Sequence, residues 1–239
     1  MNLILSVAKR ELSVFFDSLI AYVMLLVFLG FSGFFTWLYG NDIFLVGQAN
    51  LKTFFTISSW TLFFFIPAIT MKMIAEEKKS GTLELILTKS ISDRQFIIGK
   101  FLGAVSLVLV ALVATFPYVI TLSLIGDLDN GGTICGYFGL FLMTIAYSAI
   151  GIFSSSLTNN QIVAFMLSLV ICLFFHLIFD VLAANSSGII SWLFETLSLQ
   201  THFDSISRGV IDSRDLVYFI SITILGLFSA ELSLSKSHS

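Results

Sequence analysis

Apolar residues along this chain gather into long runs separated by short polar breaks. A helix that crosses a bilayer needs about 20 predominantly apolar residues. Windows at 19–39, 54–71, 101–125, 134–157, 162–183 and 216–234 meet that length, so the pattern predicts six spans. The first follows Lys9 and Arg10, but it is too long for a signal-peptide core and no small-residue cleavage site follows it. It reads as a retained span. An even number of spans puts both termini on one side of the membrane.

The polar breaks carry their own periods. Asn2, Ser6, Lys9, Ser13 and Asp17 recur at steps of three or four, while Leu3, Ile4, Val7, Leu12 and Phe15 lie away from that stripe. This predicts an amphipathic helix over residues 1–17 in the membrane interface, with Glu11 as a blemish on its apolar side. Residues 184–215 hold many apolar positions but are too interrupted to span. They predict one or two short helices at the outer interface, with Trp192 as an aromatic anchor. Pro117 predicts a kink near the outer end of the third span. No internal repeat or linker divides residues 1–239. The expected fold is an all-α membrane protein of one domain: six transmembrane helices, an N-terminal interfacial helix and short external helices before the last span.

Composition agrees with this reading. Of 239 residues, 57% are hydrophobic and 11% charged, with a mean hydropathy of +0.99. A soluble domain is typically about 25% charged. So little charge cannot cover a water-facing surface, and the expected surroundings are membrane lipid, with no nucleic-acid partner. Orientation follows from the basic residues, which concentrate in cytoplasmic loops. With the termini inside, Lys9, Arg10, Lys72, Lys78, Lys79, Lys89, Arg94, Lys100 and Lys236 are cytoplasmic. Only Lys52, Arg208 and Arg214 then lie outside.

Residues 72–103 are the most charged island between two spans. Ser80, Gly81 and Thr82 interrupt any helix continuing from the second span, and Ser80 can cap a short helix over 82–89. Leu83, Ile86 and Leu87 share one face of that helix, and Glu84 and Thr88 another. Such a helix suits the groove of a cytoplasmic partner; the other reading is an ordinary charged loop. Ser92 and Gln95 form a capping-box pattern at the start of the third span. His176 and Asp180 stand four apart and are expected on one face near the outer end of the fifth span. They read either as a structural pair solvated at a helix end or as part of a translocation path or outer gate. They are too few for a metal site. Cys135 and Cys172 read as small buried side chains. Gly99 and Gly103, with Ser106, offer a small face for helix packing, as do Gly30 and Gly33. Arg208, Asp212, Arg214 and Asp215 are expected as caps and ion pairs at the start of the last span.

The segment from Glu77 to Leu87, EKKSGTLELIL, resembles the E-x-x-x-G-T-L-E signature that type-2 ABC transporter permeases carry after their second span. Where the family pattern brings a proline shortly afterwards, this chain has Ser90, which leaves the turn less rigid. The resemblance covers essentially the full length. Residues 201–215 are also similar to the segment before the last span in the gliding-motility-associated permeases of Bacteroidetes-type bacteria. It implies a multi-pass permease subunit of an ATP-driven exporter in the bacterial inner membrane, with both termini cytoplasmic and a place in gliding motility or secretion. It also implies a coupling helix in the first cytoplasmic loop, with Glu77, Gly81, Thr82, Leu83, Glu84 and Leu87 as the ATPase-coupling residues. The implied partners are an ABC ATPase subunit and a second permease subunit, either another copy or a different chain. ATP and Mg would be bound by the partner ATPase and no cofactor by this chain. The sequence agrees, since it has no G-x-x-x-x-G-K-[ST] loop to cradle phosphates. Two other readings stay open, a non-transporting membrane anchor of a larger assembly and an ATP-independent secondary transporter. Against the last, the six windows are nearly free of charge apart from His176.

Overall fold

The computed structural model describes residues 3–38, 50–82 and 91–236, all in helices and short connections without a strand. Among them, Leu19–Trp37, Lys52–Ser80, Asp93–Ile125, Asn130–Ser156, Gln161–Ala184 and Ser213–Lys236 are helical stretches long and apolar enough to cross a membrane. The six spans expected from hydropathy are therefore present.

Helix α1 (Leu3–Asp17) leads into the first span, α2 (Leu19–Trp37). The second span, α3 (Lys52–Thr70), is followed by a turn and by the short α4 (Ala75–Ser80). The third starts at Asp93, eight residues ahead of the expected boundary, as α5 (Asp93–Val113) and continues as α6 (Phe116–Ile125). Its start is fixed by the predicted capping box, in which Gln95 N donates to Ser92 Oγ and Ser92 N to Gln95 Oε1, both at 3.3 Å. Its break at Ala114–Thr115 falls just before Pro117, which has no amide for the carbonyl four residues back. At the break Thr115 donates its hydroxyl to Leu112 O at 2.6 Å.

The fourth span, α7 (Asn130–Ser156), is the centre of the bundle, with 78% of its apolar window buried inside the protein. It packs against α3, α5 and the later spans. Lipid is as apolar as leucine, so close helix packing rather than water exclusion joins such helices. Small residues on α7 permit that closeness. A Cβ on Gly151 would lie 2.0 Å from Thr70 Oγ1 on α3, and one on Gly136 would lie 2.3 Å from the Phe55 ring. The fifth span runs as α8 (Gln161–Leu173), a π-helical turn (Phe174–Ile178) and α9 (Phe179–Ala184). Two short helices follow, α10 (Ile189–Leu197) and α11 (Leu199–Ser207), as expected between the last two spans. Leu199, Phe203 and Ile206 bury the apolar face of α11, which packs on α7. The last span is α12 (Ser213–Lys236).

Following the spans in order, the start of the first span and the end of the last lie at one end of the bundle, termed the terminal end below; the opposite one is the distal end. Helix α1 sits at the terminal end against the start of α5. Gly99 and Gly103 make room for it, since Cβ atoms there would lie 2.6 Å from Val7 Cβ and 2.7 Å from Glu11 Cβ. The small face read from the sequence thus receives α1. Glu11 is no blemish on that helix: it is buried together with Ala8 and Phe15.

Candidate functional site

At the terminal end, polar contacts from α5 and α7 converge on α4, and α1 and α12 bond to the same groups. Helix α3 stops at Thr70, and the turn through Met71–Ile74 leaves backbone groups without helical partners. Ser155, near the end of α7, supplies them. Its hydroxyl donates to Met71 O at 2.9 Å and accepts from the amides of Ile74 at 3.1 Å and Ala75 at 3.0 Å. The next residue, Ser156, accepts the Lys78 ammonium and the Ser233 hydroxyl of α12 on its carbonyl oxygen.

The third tie is ionic. Lys100 of α5 is 1% exposed, and its ammonium donates to Glu11 Oε1 of α1 at 2.9 Å and to Glu77 Oε1 of α4 at 3.0 Å. The ring of Phe96 lies 5.0 Å from the same nitrogen. A lysine this deeply buried needs such partners, because desolvating an ammonium costs several kcal/mol, order of magnitude, without them. One helix turn of signature sequence is therefore bonded directly to α5 and α7, and through Lys100 and the Ser156 carbonyl it shares partners with α1 and α12.

Of the residues expected to couple to an ATPase, Glu77 lies in this triad with its carboxylate turned inward to Lys100. Gly81 ends α4 with φ of 69°, a left-handed conformation that glycine adopts without strain. The Thr82 hydroxyl donates to Glu77 O at 3.5 Å and meets Ser80 Oγ at 2.8 Å. Ser80 itself is the last residue of α4 and donates to Glu77 O. Leu83, Glu84 and Leu87, and with them the expected helix over 82–89 beyond Thr82, lie outside the described residues.

His176, inside the π-helical turn, and Asp180, just after it, take different partners. His176 is buried, with Nδ1 2.7 Å from the Tyr147 hydroxyl of α7, between the rings of Trp60 and Phe63 of α3 at 4.5 and 5.3 Å. Asp180 instead accepts from Thr201 Oγ1 of α11 at 3.3 Å. Both cysteines are buried and free.

At the distal end, Asp212 caps the last span as expected, accepting from Arg214 N at 2.9 Å. That amide holds the Asp212 carboxyl below its ordinary range. Asp215 departs from expectation. It pairs with His202 of α11, Oδ1 to Nδ1 at 2.6 Å, and with neither arginine. Arg208 turns its Nε to Asp204 O at 3.0 Å. Sequence reasoning missed Lys100, Ser155 and His202. Lys100 had a readable sign: a lone cation between Gly99 and Gly103 on a helix face, with a lone carboxylate on the apolar face of α1 to match.

Six spans, one of them central to the bundle, define a polytopic helical membrane protein. The profile of the ABC-2 family transporter proteins matches residues 5–210, and the chain belongs to that family. It is thus a membrane component of the ABC transporter class, a class whose permeases carry no ATPase site and pair with a separate ATPase subunit. A search of curated proteins gave no match.

Proposed function

We propose that this chain is the permease subunit of an ATP-driven exporter in a bacterial inner membrane, with the terminal end cytoplasmic. The basic residues support that orientation, since eight of the eleven among the described residues fall at this end. ATP and Mg act on a partner ATPase, which docks on residues 81–89. A second permease subunit, another copy or a different chain, completes the path. The likeness of residues 201–215 to gliding-associated permeases supports a place in a motility or secretion assembly.

The observation that carries this reading is the clamp on α4. The docking segment follows Gly81 in the chain, and the turn before it is bonded to α5 and α7, whose Lys100 and Ser156 also hold α1 and α12. Closure of two ATPase subunits would push residues 81–89, and α4 would transmit the push to α1, α5, α7 and α12. A free loop would dissipate the same push.

The test is purification from native membranes in mild detergent, with ATPase activity assayed on the eluate. A stoichiometric nucleotide-binding subunit is expected, lost when residues 81–87 are replaced by a Gly/Ser stretch. Glu84→Lys is expected to leave the protein inserted while uncoupling hydrolysis from transport. A well-folded chain that elutes alone and without ATPase activity overturns the proposal.

A further inference from the structure

We infer that His202 carries a proton on both ring nitrogens and acts as a charge-dependent latch holding the α10–α11 pair against the last span. Its two ring nitrogens face acceptors. Nδ1 lies 2.6 Å from Asp215 Oδ1 on α12, and Nε2 lies 3.2 Å from the backbone oxygen of Thr196 on α10. A neutral imidazole has one donor nitrogen, so it serves only one of them and turns a lone pair on the other. The imidazolium serves both.

The surroundings favour the charge. Thr196 O belongs to the last turn of α10, the end at which a helix dipole stabilises a cation. The Tyr218 ring of α12 stacks on His202 at 4.0 Å between centroids, presenting its electron-rich face. The Tyr218 hydroxyl donates to Leu197 O, so α11 and α12 together cap the final carbonyls of α10. Glu195 of α10, Arg208 of α11, and Asp212, Arg214 and Asp215 at the start of α12 line one cleft with His202. Asp204 of α11 and Asp180 of α9 add two more carboxylates nearby, and Asp129 caps α7, on which α11 packs. His176 of the π-helical turn, also packed on α11, is engaged with Tyr147. Lys52 of α3 lines the neighbouring cleft with Asp204 and Arg208.

Loss of one proton forces His202 off one acceptor. If it leaves Asp215, that carboxylate loses its one partner, since Oδ2 is already buried without one among the described residues. If it leaves Thr196, the end of α10 is freed. Either way the seam between α10 and α12 loosens and the cleft beside it, about 940 Å³, widens. The latch holds while both ring nitrogens of His202 carry a proton and fails when either is lost.

The test is hydrogen exchange on the full-length protein in lipid nanodiscs, from mildly acidic to mildly alkaline pH, corrected for intrinsic exchange. Residues 189–207 are expected to lose protection by about tenfold as pH rises, the size of one charge-assisted hydrogen bond. His202→Gln is expected to show the unlatched level throughout. Protection that ignores pH, or that changes with pH equally in His202→Gln, overturns the latch. A second measurement needs no stable variant at His202: ring-nitrogen NMR of histidine-labelled protein at neutral pH, the signal recognised by its shift in Asp215→Asn. Two protonated ring nitrogens support the latch, and a neutral tautomer overturns it.

Discussion

Lys100 and Glu77, far apart in sequence, meet at 3.0 Å between the start of α5 and the middle of α4. Glu11 holds the same ammonium from the other side at 2.9 Å. The first glutamate of the family signature thus faces into the protein. Its place suits a residue that keeps the docking segment in register with the spans, and it leaves contact with an ATPase to residues beyond Gly81.

Replacing Lys100 by methionine removes the cation and leaves two carboxylates buried without it. Such a loss typically costs about 3–5 kcal/mol. Lys100→Met is expected to lower the detergent melting temperature strongly. Adding Glu11→Gln and Glu77→Gln is expected to recover most of that loss, because the buried charge is then gone. A triple variant as unstable as the single one would show that packing around the lysine stem, not charge, sets the cost.

Ser155→Ala tests the clamp without touching charge. It removes one donor to Met71 O and the shared acceptor of the Ile74 and Ala75 amides. A buried amide left unpaired costs about 1–3 kcal/mol. The expected result is a moderate stability loss and weaker coupling of transport to hydrolysis, with ATPase binding retained. Wild-type coupling in a folded Ser155→Ala complex would remove this hydroxyl from the mechanism.

The contrast between Lys100 and the spans shows where local sequence stops being informative. The spans were legible because bilayer thickness imposes one length on every apolar run. The capping box at Ser92 and Gln95 and the break before Pro117 were legible because backbone chemistry settles them within a turn. The Glu11–Lys100 pair joins helices 89 residues apart, and Ser155 reaches an amide 81 residues away. No period along the chain records such a meeting. His176 and Asp180 likewise find their partners, Tyr147 and Thr201, 29 and 21 residues away, which their four-residue spacing does not record.

The Tyr147–His176 contact separates a structural role from a transport one. Tyr147→Phe removes the partner of Nδ1, while Nε2 has none among the described residues. An imidazole left unpaired between Trp60 and Phe63 is expected to cost about 1–3 kcal/mol. Adding His176→Leu is expected to restore stability, since removing both polar partners is nearly neutral. If the stable double variant also transports normally, the pair holds α7 to the fifth span and does no more. Loss of transport in that variant, with ATPase binding intact, would place His176 on the substrate path.

Two glycine substitutions should move stability in opposite directions. An added methyl at Gly151 would lie 2.0 Å from Thr70 Oγ1 and 2.8 Å from Thr70 Cβ. That hydroxyl cannot turn away freely, because it donates to Ile66 O at 2.8 Å. Overpacking of this kind costs about 1–3 kcal/mol, against roughly 0.5–1 kcal/mol gained from alanine in a helix interior. Gly151→Ala is therefore expected to melt earlier and to loosen α7 from α3. Gly30 of α2 has nothing within 4 Å of the same added atom. Gly30→Ala keeps only the helix gain and is expected to melt slightly later. Thermal unfolding of the two variants in one detergent checks both signs; equal shifts would mean that α3 and α7 are not in the close contact that brings the end of the second span against the clamp.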